Sequence, residues 1–172
     1  MKSLIFCIIT SFSAVAFAAG NESALAPAFD ATDIQSEESF SLKDFKGKKV
    51  LLHFWAPSCT VCPAEVRRLS KLKQKLDPEK AAIVTVISFE SLERSKKVVD
   101  SLDVTLPIGI DATNKIAADY GVKLLPVTFL IDEEGNFFKG PESYRFDGPK
   151  DWLNFEDLKL LRSFGFEFSP NN

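Results

Sequence analysis

The sequence predicts an α/β domain in which a mixed central sheet carries helices on both faces. Three observations support this. Residues 50–56 (Val-Leu-Leu-His-Phe-Trp-Ala) are almost continuously apolar, as a central strand covered on both faces should be. A helical pattern follows at once: Cys62, Val66, Leu69, Leu72 and Leu76 are spaced 4, 3, 3 and 4 apart, which keeps them on one helix face. Strand and helix patterns then alternate as far as residue 131, and a hairpin and a last helix close the chain.

In order, residues 19–28 form a short polar lead. Residues 28–34 and 39–42 read as two short strands around a polar turn, and residues 42–47 as a turn of helix stopped by Gly47. The helix after strand 50–56 is expected to run to Leu76, with Arg67, Arg68, Lys71 and Lys75 on its solvated side and Pro78 beyond its end. Residues 82–89 form a second buried strand and 91–102 a helix. Residues 106–110 make a short strand, and 115–120 a short helix closed by Gly121. Residues 127–131 form a strand that turns through 132–136 into Phe137-Phe138 as a hairpin. Residues 140–149 are irregular, and 154–164 form the last helix.

The 172 residues, 45% hydrophobic with sixteen Phe, suit one domain with a real core. Lys2, the apolar run 4–15 and Ala16-Phe17-Ala18 have the layout of a signal peptide cleaved after Ala18. An uncleaved anchor is the alternative, although the run is short for a membrane span. Residues 19–172 are then the single domain, with its core at about 26–165, in the periplasm. Cys7 leaves with the leader, so Cys59 and Cys62 are the only thiols. Loss of Lys2 leaves 20 basic against 24 acidic residues, a net charge of −4. No basic patch appears, and nucleic acid is excluded as a partner.

Cys59-Thr60-Val61-Cys62 lies where strand 50–56 passes into the helix. Thiols at i and i+3 on a first turn can join and separate with little backbone movement, and a helix N-terminus stabilises a thiolate. Cys59 is the expected nucleophile and Cys62 the resolving thiol of a dithiol redox site. A structural disulfide closing so short a loop would stabilise by only about 2 kcal/mol. Zinc needs four ligands, and the mature chain has one cysteine pair and one His. No metal or other cofactor is expected. Pro63 sits at the limit of tolerance if the helix starts at Cys59.

His53-Phe54-Trp55-Ala56…Cys59…Cys62…Glu65, together with Gly121-Val122…Pro126…Leu130-Ile131-Asp132…Gly135, resembles the thioredoxin superfamily, and within it the TlpA/ResA/DsbE group. Gly148-Pro149…Trp152 fits the TlpA branch, and residues 91–110 match the helix-and-strand insertion of that group. The resemblance implies a thioredoxin fold with extra N-terminal strands. It also implies a cis Leu125–Pro126 bond facing the cysteines, with Trp55, Leu125 and Pro126 meeting substrate. Ser58, Thr60-Val61, Pro63 and Val127 depart from the group's pattern, which leaves the redox poise least determined.

The implied activity is reduction of disulfides in exported proteins, such as apocytochrome c or copper-site thiols. A membrane thiol transporter is the implied electron donor, and the protein is expected to be monomeric. Glu65 is the expected base for the Cys62 proton. His53 is a possible relay, standing where thioredoxins carry a buried Asp. Val61-Cys62-Pro63-Ala64-Glu65 also resembles the peroxiredoxin motif, so a thiol peroxidase is one alternative. A copper-handling dithiol protein of the Sco type is the other.

Overall fold

A computed structural model describes residues 24–139 and 143–169. The expected leader, its cleavage point after Ala18 and Cys7 lie outside the described residues. The strands are β1 (Asp30–Asp33), β2 (Ser39–Ser41), β3 (Lys49–Trp55), β4 (Ala81–Ile87), β5 (Ile108–Ile110), β6 (Val127–Ile131) and β7 (Arg145–Asp147). The helices are α1 (Cys62–Lys73), α2 (Leu92–Asp100), α3 (Lys115–Asp119) and α4 (Phe155–Ser163). The strands form one sheet in the order β2-β1-β5-β4-β3-β6-β7. β3 is parallel to β4 and antiparallel to β6, so the sheet is mixed, with β3 an interior strand paired on both edges.

Most elements follow from local chemistry. β3 and β4 are apolar and β-branched, and both are buried. Ser91 and Asn154 cap α2 and α4 by accepting the N–H of Arg94 and Asp157. Gly47 and Gly121 take positive φ where the first helical turn and α3 end. A Cβ at Gly109 would lie 2.7 Å from Ala31 Cβ, so β5 can approach β1 only because this position is glycine.

Two expectations are corrected. The pair Phe137-Phe138 does not extend into a strand: Phe137 makes a single bridge with Ile131, and the Phe138 N–H donates to Leu130 O. On the edge away from β3, β6 pairs antiparallel with β7 instead, in the segment expected to be irregular. The second correction is at the helix that follows the cysteines. α1 begins at Cys62, with Pro63 in its first turn, and ends at Lys73. Pro63 has no N–H to give to Cys59 O. That carbonyl accepts from the Cys62 N–H at 3.2 Å instead, so Cys59 stands on a turn ahead of the helix.

Side chains alternate between two cores. Val50, Leu52 and Phe54 of β3 join Val84, Val86, Phe129, Ile131 and Tyr120 on one face. Leu51 and Trp55 join Cys62, Val66, Leu69, Ile83, Ile87, Leu130 and Trp152 on the other, beneath α1 and α4. His53 lies between Leu51 and Trp55, so it points into this second core.

Candidate active site at the end of the central strand

β3 ends at Trp55, and four residues later Cys59 forms a disulfide with Cys62. The rule that sites in open α/β sheets form beyond strand carboxyl ends holds here. Cys59 is partly exposed and Cys62 has no exposed surface. An incoming disulfide can therefore reach only the Cys59 sulfur. The Leu125–Pro126 bond is cis and immediately precedes β6, whose Val127 lies opposite Phe54. This sets Leu125 and Pro126 at the same end of the sheet as the cysteines. Leu125 is partly exposed and packs against the core that Cys59 also touches. Trp55, expected to meet substrate, is fully buried. Its indole belongs to the floor of the site.

Glu65 lies one turn after Cys62 on α1 and is buried, 1% exposed. Its Oε1 accepts from the Trp152 indole N–H at 3.0 Å and from the Lys150 N–H at 3.2 Å. Burial pushes its carboxyl up to about 7, against the downward pull of those two bonds and of the Arg68 charge. A carboxyl with that pKa gains and loses a proton near neutral pH, as a general base must.

His53 is fully buried on β3, two residues before Trp55. Its Nδ1 lies 2.9 Å from Thr128 Oγ1 and 3.9 Å from Glu65 Oε1. Burial pushes the imidazole down to about 3, so the ring is neutral at physiological pH and its approach to Glu65 is not an ion pair. Among the described residues, three buried side-chain polar atoms lack a hydrogen-bond partner: His53 Nε2, Trp55 Nε1 and Glu65 Oε2. All three belong to this one site. Buried unpaired groups are costly and rare; of the three, Glu65 Oε2 can accept a proton, whereas Trp55 Nε1 is an N–H that can only donate.

Of the residues singled out from sequence, Cys62 and Glu65 share α1, Cys59 stands just ahead of it, His53 lies 3.9 Å from Glu65, Leu125 and Pro126 lie at the same end of the sheet, and Trp55 is buried in the core with Cys62. The structure adds Thr128 as a partner of His53, and Lys150 and Trp152 as partners of Glu65. Trp152 belongs to a recognisable motif, but nothing local links it to Glu65.

The sequence profile of the AhpC/TSA family matches residues 23–137. The thioredoxin-like protein YneN of Bacillus subtilis (strain 168) is 46% identical over 114 residues, 64% of this chain and 65% of that protein. The thiol-disulfide oxidoreductase ResA of Bacillus thuringiensis subsp. konkukian (strain 97-27) is 36% identical over 110 residues, 64% of this chain and 63% of that protein. The chain therefore spans just under two thirds of the length of these curated relatives. Among solved structures, the pneumococcal exposed lipoprotein thioredoxin Etrx1 from Streptococcus pneumoniae strain TIGR4 superposes with a TM-score of 0.67 at 26% identity. That match covers 81% of this chain and 98% of that one.

Proposed function

The chain belongs to the AhpC/TSA family, and from that premise we propose that it is an exported thiol-disulfide oxidoreductase of the ResA/DsbE type, reducing disulfides in other exported proteins. One observation carries the reading: the disulfide has one partly exposed sulfur and one enclosed sulfur, and the helix that holds the enclosed one also buries Glu65.

In the reaction the Cys59 thiolate attacks a substrate disulfide. One substrate sulfur leaves and takes up a proton, and a mixed disulfide remains. Cys62 then loses its proton and attacks Cys59 Sγ, releasing the second substrate thiol and closing the Cys59–Cys62 disulfide. The substrate gains two electrons, and an exported or membrane dithiol donor restores the pair. The Glu65 carboxylate accepts the Cys62 proton on Oε2, the oxygen with no other partner. His53, neutral and within 3.9 Å of Glu65, adjusts that carboxyl without carrying charge itself. Leu125 and Pro126 border the entry to Cys59 and receive the substrate chain.

The test is trapping. Cys62→Ser is expected to accumulate mixed disulfides with exported proteins, and Cys59→Ser is not; equal trapping by both removes the assignment. Glu65→Gln is expected to slow release of the trapped partner several-fold near pH 7 while sparing the first attack. Equilibration with glutathione is expected to give a potential nearer thioredoxin's, about −270 mV, than DsbA's, about −120 mV. A peroxidase acting through Val61-Cys62-Pro63 would need peroxide to meet Cys62, whose sulfur lies behind Cys59 with no exposed surface. Peroxide consumption at a rate matching disulfide exchange would reverse that preference.

A further inference from the structure

The loop between β4 and α2, residues 88–91, crosses the carboxyl end of β3 and is tied down at every position. The Ser88 N–H donates to Trp55 O at 3.1 Å, and its hydroxyl donates to Asp111 Oδ2 at 2.9 Å. Phe89 holds a left-handed backbone, φ +62°, with its N–H on Asn114 Oδ1 at 2.6 Å. A bulky residue with positive φ is strained, and such strain persists only where the surroundings over-determine it. The residue this arrangement delivers is Glu90. Its carboxylate accepts the Ser91 N–H at 3.0 Å and lies 3.8 Å from Arg94 Nε. It also lies beside Ser58, the residue just before Cys59, whose hydroxyl and N–H draw its carboxyl down. Its side chain is only 10% exposed.

We propose that Glu90 sets the redox poise of the Cys59–Cys62 couple by holding a carboxylate against the residue that precedes the nucleophile. This deepens the oxidoreductase reading and rests on it. Two effects act in one direction. The carboxylate opposes a thiolate at Cys59 by like-charge repulsion. It also draws on the Ser58 hydroxyl and N–H, groups beside Cys59 that could otherwise help to solvate that thiolate. Cys59 already stands ahead of α1 and not inside its first turn, so the stabilisation a helix start would give is weakened. A less stable thiolate disfavours the dithiol state, so the protein is a stronger reductant. Burial would push Glu90 up, but the Ser91 N–H, the Ser58 hydroxyl, Arg94 and the Ser58 N–H together hold its carboxyl below the usual carboxylate range. Glu90 is therefore charged wherever Cys59 titrates. Arg94 is the charged group against it and offsets part of its field. Glu65, the site's other carboxyl, faces His53 and Trp152.

The experiment follows the balanced exchange in which the protein disulfide and two glutathione thiols give the protein dithiol and one glutathione disulfide. Glu90→Gln is expected to shift this equilibrium toward the dithiol about threefold at pH 8.5, which is roughly 14 mV, with the shift fading toward pH 6 as the thiolate disappears. The pH profile of Cys59 alkylation is expected to move to lower pH in the same variant. Arg94→Gln is expected to shift both readouts the opposite way, and Glu90→Asp, which keeps the charge, to restore most of the wild-type value. An absent shift, a shift equal at all pH values, or the same direction in Glu90→Gln and Arg94→Gln overturns the proposal, since mere loosening of the loop would act alike in both. If Glu90→Gln does not fold, Arg94→Gln and Ser58→Ala carry the test. Wild-type turnover of a cystine-containing protein is measured alongside. Its failure with the glutathione shifts intact would reject the oxidoreductase reading and leave the assignment of Glu90 standing.

Discussion

On one face of the sheet Phe54, Tyr120, Phe129 and Phe137 meet ring to ring, with centroids 5.2 to 5.9 Å apart. On the other, His53, Trp55 and Glu65 meet with three polar atoms unpartnered. Both faces hang on the same strands, β3 and β6, one residue apart in register. The aromatic face gains burial and edge-to-face contacts and holds no group that titrates near neutral pH. The other face gives up part of that gain to keep a neutral imidazole beside a carboxyl that titrates near pH 7, on the face that also buries Cys62. Stability and chemistry are thus divided between opposite sides of one sheet, and changes on each side should read out differently.

The largest effect expected is on the aromatic face. Phe129→Ala removes a ring that touches Phe54, Tyr120 and Phe137 and is expected to cost about 3–5 kcal/mol, measured by denaturant unfolding. The glutathione equilibrium of the folded fraction is expected to stay within twofold of wild type. A large change in both would mean that the faces are coupled and the division is wrong.

On the site face the effects depend on pH, with opposite signs at the two buried groups. Glu65 rises from 4.5 to about 7 on folding, so its contribution is fully present below pH 4.5 and is lost as pH rises through 7. The shift corresponds to about 3 kcal/mol as an order of magnitude. His53 falls from 6.5 to about 3, so its contribution is present above pH 6.5 and is lost as pH falls through 3. Between pH 4.5 and 6.5 the two slopes oppose each other. Relative to wild type, Glu65→Gln is expected to gain stability from pH 5 to pH 8, and His53→Asn to lose less on acidification. Unfolding curves at pH 4, 5, 6.5 and 8 read both. Parallel profiles for all three proteins would show that neither group is held in its uncharged form by the fold.

The same division explains what could be read from the chain. β3, α1, the cysteine pair and the position of Glu65 follow from patterns within one or two turns, and the sequence signals for them are strong. The polar row Thr85–His53–Thr128 depends on the register of three strands, which no local pattern encodes. Glu65 finds its partners 85 and 87 residues away, in a segment with no periodicity. β7 was hidden for a related reason: Arg145-Phe146-Asp147 is short, half polar and at the sheet edge, where pairing and not burial makes it a strand. The spacing of the cysteines alone points to a helix that starts at Cys59, whereas Pro63 decides where α1 can begin.

The smallest effects compare one hydroxyl on each face. Thr128→Val keeps the side-chain shape and removes the partner of His53 Nδ1, leaving both ring nitrogens of a fully buried imidazole unpaired. A buried polar group left alone costs about 1–3 kcal/mol. Tyr120→Phe removes the hydroxyl that donates to Pro27 O at 2.7 Å, on the aromatic side. That bond is only partly buried, and the freed carbonyl lies in the lead before β1, where water can replace the lost donor. The expected cost is about 0.5–1 kcal/mol, the net value of an ordinary hydrogen bond. Tyr120→Phe is expected to leave the pH profile of disulfide exchange unchanged. Thr128→Val is expected to alter it, because His53 and Glu65 are 3.9 Å apart and a reoriented ring changes the surroundings of the carboxyl. Equal costs with unchanged profiles would place His53 among passive core residues and leave Glu65 as the only acid–base group of the site.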